Sequence, residues 1–172
     1  MGGMTDDLRK RVDQFFASGK TLAGPFEWYE SERAGVQKFQ REVREDGVSR
    51  GFRIEGNALM GSDNREFRFM VIGLGQCLFR LDCAPVLDGT HVNGPNRPLG
   101  FPMGIDGPHY HPWAENRKFS TPNKIHDKLP YALEIPSGIA NIRQGFRVFC
   151  DLVGITALTA DDPDWPKPTK LL

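Results

Sequence analysis

The chain has 172 residues, a length typical of one domain, and we expect a single domain over residues 1–172. Hydrophobic residues make up 39% of the chain and charged residues 26%, which excludes an intrinsically disordered protein. Twenty-two basic residues balance 22 acidic ones, so no chain-wide positive field for nucleic acid is present. No apolar run reaches the length of about 18 residues that a membrane span needs, and no membrane association is predicted.

A cytoplasmic location is expected by default, because neither the N-terminus nor the cysteines indicate another compartment. The N-terminus has no basic segment followed by an apolar one, so it does not predict a secretory signal. Cys77 and Cys83 lie six residues apart in one predicted strand, too far for a disulfide, and Cys150 leaves an odd count. We expect residues 1–4 to be disordered or tag-derived and residues 159–172 to form an extended, proline-rich tail.

The first predicted element is a helix over about residues 5–18, with Thr5 as its N-cap. Residues 26–46 fit either a helix or a half-exposed strand, and the aromatic residues at their start favour the strand. The helix is predicted from apolar side chains that recur on one face: Leu8, Val12, Phe15 and Phe16.

Three strands are predicted next, over residues 51–60, 66–72 and 76–83, with turns at 61–64 and 73–75. Short strands joined by short turns predict an antiparallel meander rather than a parallel sheet. In the third strand, alternation places Arg80 and Asp82 on one face. The opposite, core-facing side of that strand is predicted to carry Cys77, Phe79 and Leu81.

The second half of the chain begins with a long, proline-rich loop over residues 84–108, and loops of this length are often functional. His109–Trp113 and Tyr131–Ile135 predict short edge strands. A helix is predicted over residues 137–153, capped by Ser137 and ended by Gly154. The order of elements predicts an α+β fold: an antiparallel meander of about four to six strands with an N-terminal and a C-terminal helix packed on it.

Residues able to carry chemistry concentrate between residues 80 and 117. An arginine beside a carboxylate orients it, and two histidines two residues apart in an extended segment project side by side. Two histidines and a cation suit acid–base chemistry at a phosphoester, so the preferred function is action on a phosphate-containing or nucleic-acid substrate. The predicted site residues are Arg80, Asp82, His91, Asn93, His109 and His111.

Two alternatives stay open. In the first, His109 and His111, joined by His91 and Asp82, hold a divalent metal in a cupin-like protein. The spacing from His109 to Glu115 resembles the first cupin motif, although Met103 replaces its glycine. In the second, the protein is a non-catalytic binding or regulatory module without a cofactor. Its protein partner would then contact three exposed aromatic residues, Trp28, Trp113 and Trp165.

Four short motifs resemble a family of small proteins from bacteria and mobile elements. They are Arg80-Leu81-Asp82, His91-Val92-Asn93, Gly107-Pro108-His109-Tyr110-His111 and Phe149-Cys150, in a match covering roughly residues 65–153. That family has no established activity, so the resemblance implies a shared site built from these residues and a bacterial or phage origin. This chain departs from the pattern in the loop 94–106, which is longer and richer in proline.

Overall fold

A computed structural model describes residues 7–24, 26–59, 66–83, 90–135, 138–156 and 165. It confirms the α+β fold, with eight strands of one antiparallel sheet and a separate two-stranded sheet. The elements are α1 (Leu8–Ala17), β1 (Lys20–Leu22), β2 (Tyr29–Glu30), β3 (Val36–Glu45), β4 (Val48–Leu59), β5 (Phe67–Gly73), β6 (Gln76–Cys83), β7 (His91–Val92), β8 (Gly104–Ile105), β9 (His109–His111), α2 (Trp113–Asn116), a 3-10 turn (Arg117–Phe119), β10 (Leu133–Glu134) and α3 (Ile142–Val153).

The large sheet is a meander over β3 to β6 that is extended at both sides. Its order is β1-β3-β4-β5-β6-β9-β10, and β2 pairs with the other half of β3. The predicted hairpin of β4 and β5 is confirmed by a register that pairs Phe52 with Gly73 and Ala58 with Phe67. Its turn at 61–64 lies outside the described residues. The sheet has more strands than predicted because β1, β2 and the pair β9 and β10 add to the meander.

One face of the sheet is covered by α1 and α3. Alternate residues of β4 and β5 are buried there, as predicted for Phe52 and Phe69. The Phe15 ring of α1 stacks on Phe52 at 4.2 Å between centroids, and the Phe146 ring of α3 meets Phe69 edge-on at 5.2 Å. Burial of these aromatic side chains leaves the opposite face of the sheet to polar residues.

Both long helices begin later than predicted. Asp7 is the N-cap of α1 and accepts a hydrogen bond from the Lys10 amide, whereas Thr5 lies outside the described residues. Asn141 caps α3 and accepts a hydrogen bond from the Gln144 amide. Gly138 has a φ of +61°, which lies outside a right-handed helix, and Ser137 is not described. Gly154 ends α3 in the left-handed conformation, as predicted. Within the described ranges, no helix has the length and apolar character needed to cross a membrane.

A β-bulge in β6 changes which side chains face the core. Val71 pairs with Phe79 and Ile72 pairs with Cys77, so Leu78 is an extra residue in the strand. Leu78 is fully buried and Cys77 only partly so, and the prediction that Cys77 faces the core is therefore wrong. Phe79 and Leu81 are buried as predicted.

The segment after β6 is more regular than the sequence indicated. β7 and β8 form a hairpin inside the predicted loop 84–108, of which residues 84–89 are not described. β9 lies between β6 and β10 and is therefore not an edge strand. It ends at His111, so Trp113 begins α2 instead of extending the strand.

The predicted set of exposed tryptophans is wrong. Trp113 is buried, and its indole N–H donates to Asp13. Trp28 and Trp165 are half-buried, their ring centroids lie 6.2 Å apart, and both rings contact Phe26. The single domain stays a prediction, as do the terminal segments 1–4 and 159–172, of which only Trp165 is described.

Candidate functional site

Two rows of side chains cross the sheet on the face opposite the helices. They arise because residues paired in register on neighbouring strands project to the same face. Pairing of β6 with β9 sets Asp82 beside His109 and Arg80 beside His111. We call the first row Tyr29, Lys38, Asn57, Arg68, Asp82 and His109, and the second row Gln40, Glu55, Met70, Arg80 and His111.

Asp82 is the centre of the site and is almost fully buried. Its Oδ1 accepts a hydrogen bond from Arg68 Nε, and its Oδ2 accepts one from Arg80 Nε at 2.5 Å. Burial alone would raise the pKa of Asp82, but the charges of the two guanidinium groups and the hydrogen bond from Arg68 outweigh it and hold the pKa well below its usual range. Asp82 is therefore a carboxylate at neutral pH and fixes both arginines.

His111 is completely buried behind this ion pair. Its Nδ1 donates to the Leu129 carbonyl at 2.6 Å, so in the neutral ring Nε2 is the acceptor for Arg80 Nη2 at 2.8 Å. Burial lowers the pKa of His111, even though Asp82 Oδ2 lies 3.4 Å from its Nε2. Both ring nitrogens are thus occupied, and the ring positions Arg80.

His109 and His91 are the more accessible histidines, and their rings stack at 5.1 Å. His109 Nδ1 donates to the Gly107 carbonyl at 2.8 Å, which leaves Nε2 at 3.7 Å from Asp82 Oδ2. His91 Nε2 lies 3.3 Å from the Asn93 side-chain oxygen and donates to it, so Nδ1 carries the lone pair. Burial and the neighbouring His109 lower the pKa of His91.

Asn93 positions His91 instead of facing a ligand. It is 2% exposed, and its amide nitrogen donates to the carbonyls of Pro102 and Ala132. Its oxygen accepts from the Ala132 amide as well as from His91. These contacts use the full hydrogen-bonding capacity of the amide and fix its orientation.

An open cavity of about 600 Å³ lies over the first row. Four predicted site residues line it, namely Arg80, Asp82, His91 and His109, whereas His111 and Asn93 do not. Asp82 is neutralised by its arginines, and Glu66 is the other carboxylate in the wall. The basic side chains in the wall are Arg33, Lys38, Arg68, Arg80, His91 and His109. A chain with no net charge thus concentrates positive charge in one cavity.

Sequence reasoning missed Arg68, Lys38 and Arg33. Basic residues alternate with acidic ones in this part of the chain, and that pattern is typical of a solvated sheet face. The hairpin register pairs Arg68 with Asp82, and Asn57 pairs with both Lys38 and Arg68. Extending the predicted hairpin by one strand on each side would have revealed this row.

Three histidines approach one another closely enough to be considered as metal ligands. One nitrogen from each of His91, His109 and His111 lies within 4.8 Å of the others, and this group does not include Glu115. Zinc at about 2.1 Å from tetrahedral ligands sets them about 3.4 Å apart. The three rings would therefore have to move towards one another to bind it.

Comparison with protein-family models, with curated proteins and with solved structures finds no match to this chain. The family resemblance of the four motifs therefore stays a prediction.

Proposed function

We propose that the protein binds a phosphate-containing ligand in this cavity and cleaves a phosphoester bond by acid–base catalysis. One observation carries the proposal: two accessible histidines, His91 and His109, stand beside two arginines that Asp82 holds in place. The hydrogen-bond donor is Nε2 in the His91 ring and Nδ1 in the His109 ring. The cytoplasmic location belongs to the same proposal, and so does the bacterial or phage origin that the family resemblance implies.

The arginines are arranged to bind an anion. Arg68 and Arg80 contact Asp82 through Nε, so the Nη groups of Arg68 and Nη1 of Arg80 remain available to phosphate oxygens. The Arg68 side chain is 49% exposed and the Arg80 side chain 31%, so both border the open cavity. Guanidinium groups held in place stabilise the charge that develops on a phosphoryl group during its transfer.

The histidines supply the proton transfers. His91, with its lowered pKa, is neutral and takes a proton from water at Nδ1 while the water oxygen attacks phosphorus. The ester P–O bond breaks, and His109, whose Nε2 lies 3.7 Å from Asp82 Oδ2, gives the leaving oxygen a proton from Nε2. The products are an alcohol and a phosphate with one ester bond fewer, and exchange with solvent restores both rings.

Hydrolysis of bis(p-nitrophenyl) phosphate tests this proposal. His91→Gln and His109→Gln should each lower kcat by about 100-fold or more, since general acid–base groups contribute factors of this size. His126→Gln is the matched control, because this fourth histidine is exposed and its Nδ1 contacts Lys128. Phosphate binding without any turnover would instead support the non-catalytic binding module.

A metal centre is the second candidate, and one observation favours it. His109 and His111 each donate Nδ1–H to a main-chain carbonyl, an arrangement common in metal-ligating histidines. Against it, a guanidinium nitrogen of Arg80 lies 2.8 Å from His111 Nε2, where it repels a cation. Stoichiometric zinc or iron in the purified protein, lost in His111→Gln, would support this candidate. Activity that survives chelation would support the acid–base proposal.

A further inference from the structure

We propose that the phosphate-containing ligand is a single-stranded nucleic acid that lies along the first row, from Tyr29 to His109. This inference rests on the proposed function and names its substrate class. The observation behind it is that the positive cavity at the histidines reaches across the sheet to Arg33 and Lys38, where a second cavity bordered by the exposed Tyr29 begins.

The length of the row exceeds that of a single phosphate ester. Five strand-to-strand steps separate Tyr29 from His109. At about 4.8 Å per step the row measures about 24 Å. That distance spans at most about seven nucleotides at the 3.4 Å spacing of a stacked strand. A chain of several phosphates, and not one small ester, matches this surface.

Two neighbouring cavities lie over the row and share lining residues. The cavity at the histidines extends to Arg33 and Lys38, and a second cavity of about 530 Å³ begins at the same residues. This outer cavity is bordered by Tyr29 at the far end of the row. The cavity at the histidines and the cavity at Tyr29 thus meet at Arg33 and Lys38.

Charge differs between the two cavities. In the inner cavity Arg33, Lys38, Arg68 and Arg80 outnumber the two carboxylates Glu66 and Asp82. In the outer cavity Glu30 and Glu32 balance Arg33 and Lys38. The inner part is thus suited to phosphates, whereas the outer part offers little net attraction for them.

In the outer cavity, where positive charge is balanced, Tyr29 offers an aromatic surface for a ligand. Tyr29 is 51% exposed, more than Phe119, the other aromatic among the exposed large hydrophobic residues in the described ranges, and it pairs in register with Lys38. Single-strand binding sites combine a positive groove with aromatic side chains on which unpaired bases stack. A duplex keeps its base faces inside the stack, so it cannot use such an aromatic residue. The combination favours a single strand over a duplex.

Fluorescence anisotropy with labelled oligothymidylates of two, four, eight and twelve nucleotides tests the inference. Affinity should rise from two to eight nucleotides and then level off, and an eight-base-pair duplex should bind more weakly than the single strand. Tyr29→Ala should weaken binding of the eight-nucleotide strand about tenfold or more, and Tyr29→Phe should restore it. Lys38→Ala should reduce the slope of log K against log salt by about 0.7, with Arg147→Ala on the helix-covered side as the control.

Each failure has a distinct meaning. If bis(p-nitrophenyl) phosphate is cleaved but affinity does not depend on oligonucleotide length, the nucleic-acid inference is overturned and the proposed function stands. If the eight-nucleotide strand binds with the expected Tyr29 dependence but is not cleaved, the inference is supported and the catalytic proposal fails. Equal binding of inorganic polyphosphate, unaffected by Tyr29→Ala, would overturn the inference in favour of a general polyanion site.

Discussion

Arg80 Nη2 donates a hydrogen bond to Nε2 of the fully buried His111 over 2.8 Å. The acceptor role of Nε2 requires a neutral ring, because Nδ1 donates to the Leu129 carbonyl. A protonated Nε2 would instead point an N–H at a guanidinium group. The site therefore combines one buried, neutral histidine that holds an arginine with two accessible histidines, His91 and His109, beside the cavity.

This arrangement predicts that the protein loses stability in mild acid. The folded-state pKa of His111 is lowered, so below about pH 6.5 the unfolded chain binds a proton that the folded chain does not. Above that pH, His111 does not change the free energy of unfolding. As the pH falls towards the folded-state pKa, proton binding by the unfolded chain lowers the free energy of unfolding by at most about 1.4 kcal/mol per pH unit. The pKa of His91 is also lowered, so this residue likewise lowers the free energy of unfolding as the pH falls.

Urea unfolding at pH 7.5, 6.5 and 5.5 measures this dependence. His111→Gln keeps one donor and one acceptor, and it should lose less free energy of unfolding than the wild type over this range. His126→Gln should behave like the wild type. Equal pH slopes for the wild type and His111→Gln would contradict the neutral state of the buried ring, as would an NMR titration in which the His111 ring is protonated above pH 6.5.

Asp82→Asn should separate binding from turnover. Loss of the carboxylate removes the countercharge that faces Arg68 and Arg80, so affinity for inorganic phosphate should rise or stay constant. Cleavage of bis(p-nitrophenyl) phosphate should fall by at least about tenfold in kcat, because Arg68 and Arg80 lose the carboxylate that holds them in place to stabilise the developing charge. Steady-state kinetics and phosphate titration measure the two effects separately.

Asp151→Asn is the matched control for this experiment. Asp151 lies exposed on α3, on the side of the sheet away from the cavity, and its substitution changes the net charge by the same amount. A rise in KM with unchanged kcat in Asp82→Asn would mean that the carboxylate acts on ligand binding and not on turnover.

Much of the fold follows from local periodicity. Strict alternation of buried and open positions in β4 and β5, seen at Phe52, Ile54, Phe67 and Phe69, predicts the hairpin and its core face. The position of β9 inside the sheet does not follow in this way. It depends on pairing with β6 across a long connection, and three residues carry too little pattern to specify such a contact.

The site was predictable in pairs but not as a whole. Alternation alone places Arg80 with Asp82 and His109 with His111, and the β6–β9 register then joins the two pairs. The roles within the set depend on burial, which the sequence does not display. His111 is fully buried behind Arg80, whereas His109, two residues earlier on the same strand face, borders the cavity.

Phe146→Ala should destabilise the protein by about 3–5 kcal/mol. The Phe146 ring is 1% exposed and lies against Phe39, Phe69 and Trp165, so its removal leaves a cavity between α3 and the sheet. Leu152→Ala, on the same helix but 39% exposed, should change the free energy of unfolding by roughly 0.5 kcal/mol or less. Chemical denaturation of the two variants compares them, and similar losses in both would show that α3 does not pack on the sheet through Phe146.

Gly145→Ala should also destabilise the protein, although alanine is favoured over glycine in a helix by about 1 kcal/mol. A Cβ at Gly145 would lie 2.3 Å from Cε2 and 2.5 Å from Cζ of Phe67, so α3 or the Phe67 ring has to shift. Phe67 is itself buried in β5, and overpacking of this kind typically costs about 1–3 kcal/mol. Thermal unfolding should therefore show a lower Tm for Gly145→Ala than for the wild type.

A double-mutant cycle identifies the cause of that loss. Phe67→Leu shortens the side chain that an alanine at position 145 would meet, so the double variant should be more stable than the sum of the two single losses predicts. The expected coupling is about 0.5 kcal/mol or more, the range found for residues in direct contact. Strict additivity, or a raised Tm in Gly145→Ala alone, would mean that the helix stands further from β5 than this contact requires. The close approach matters to the function as well, because α3 supports the side of the sheet opposite Arg68 and Asp82.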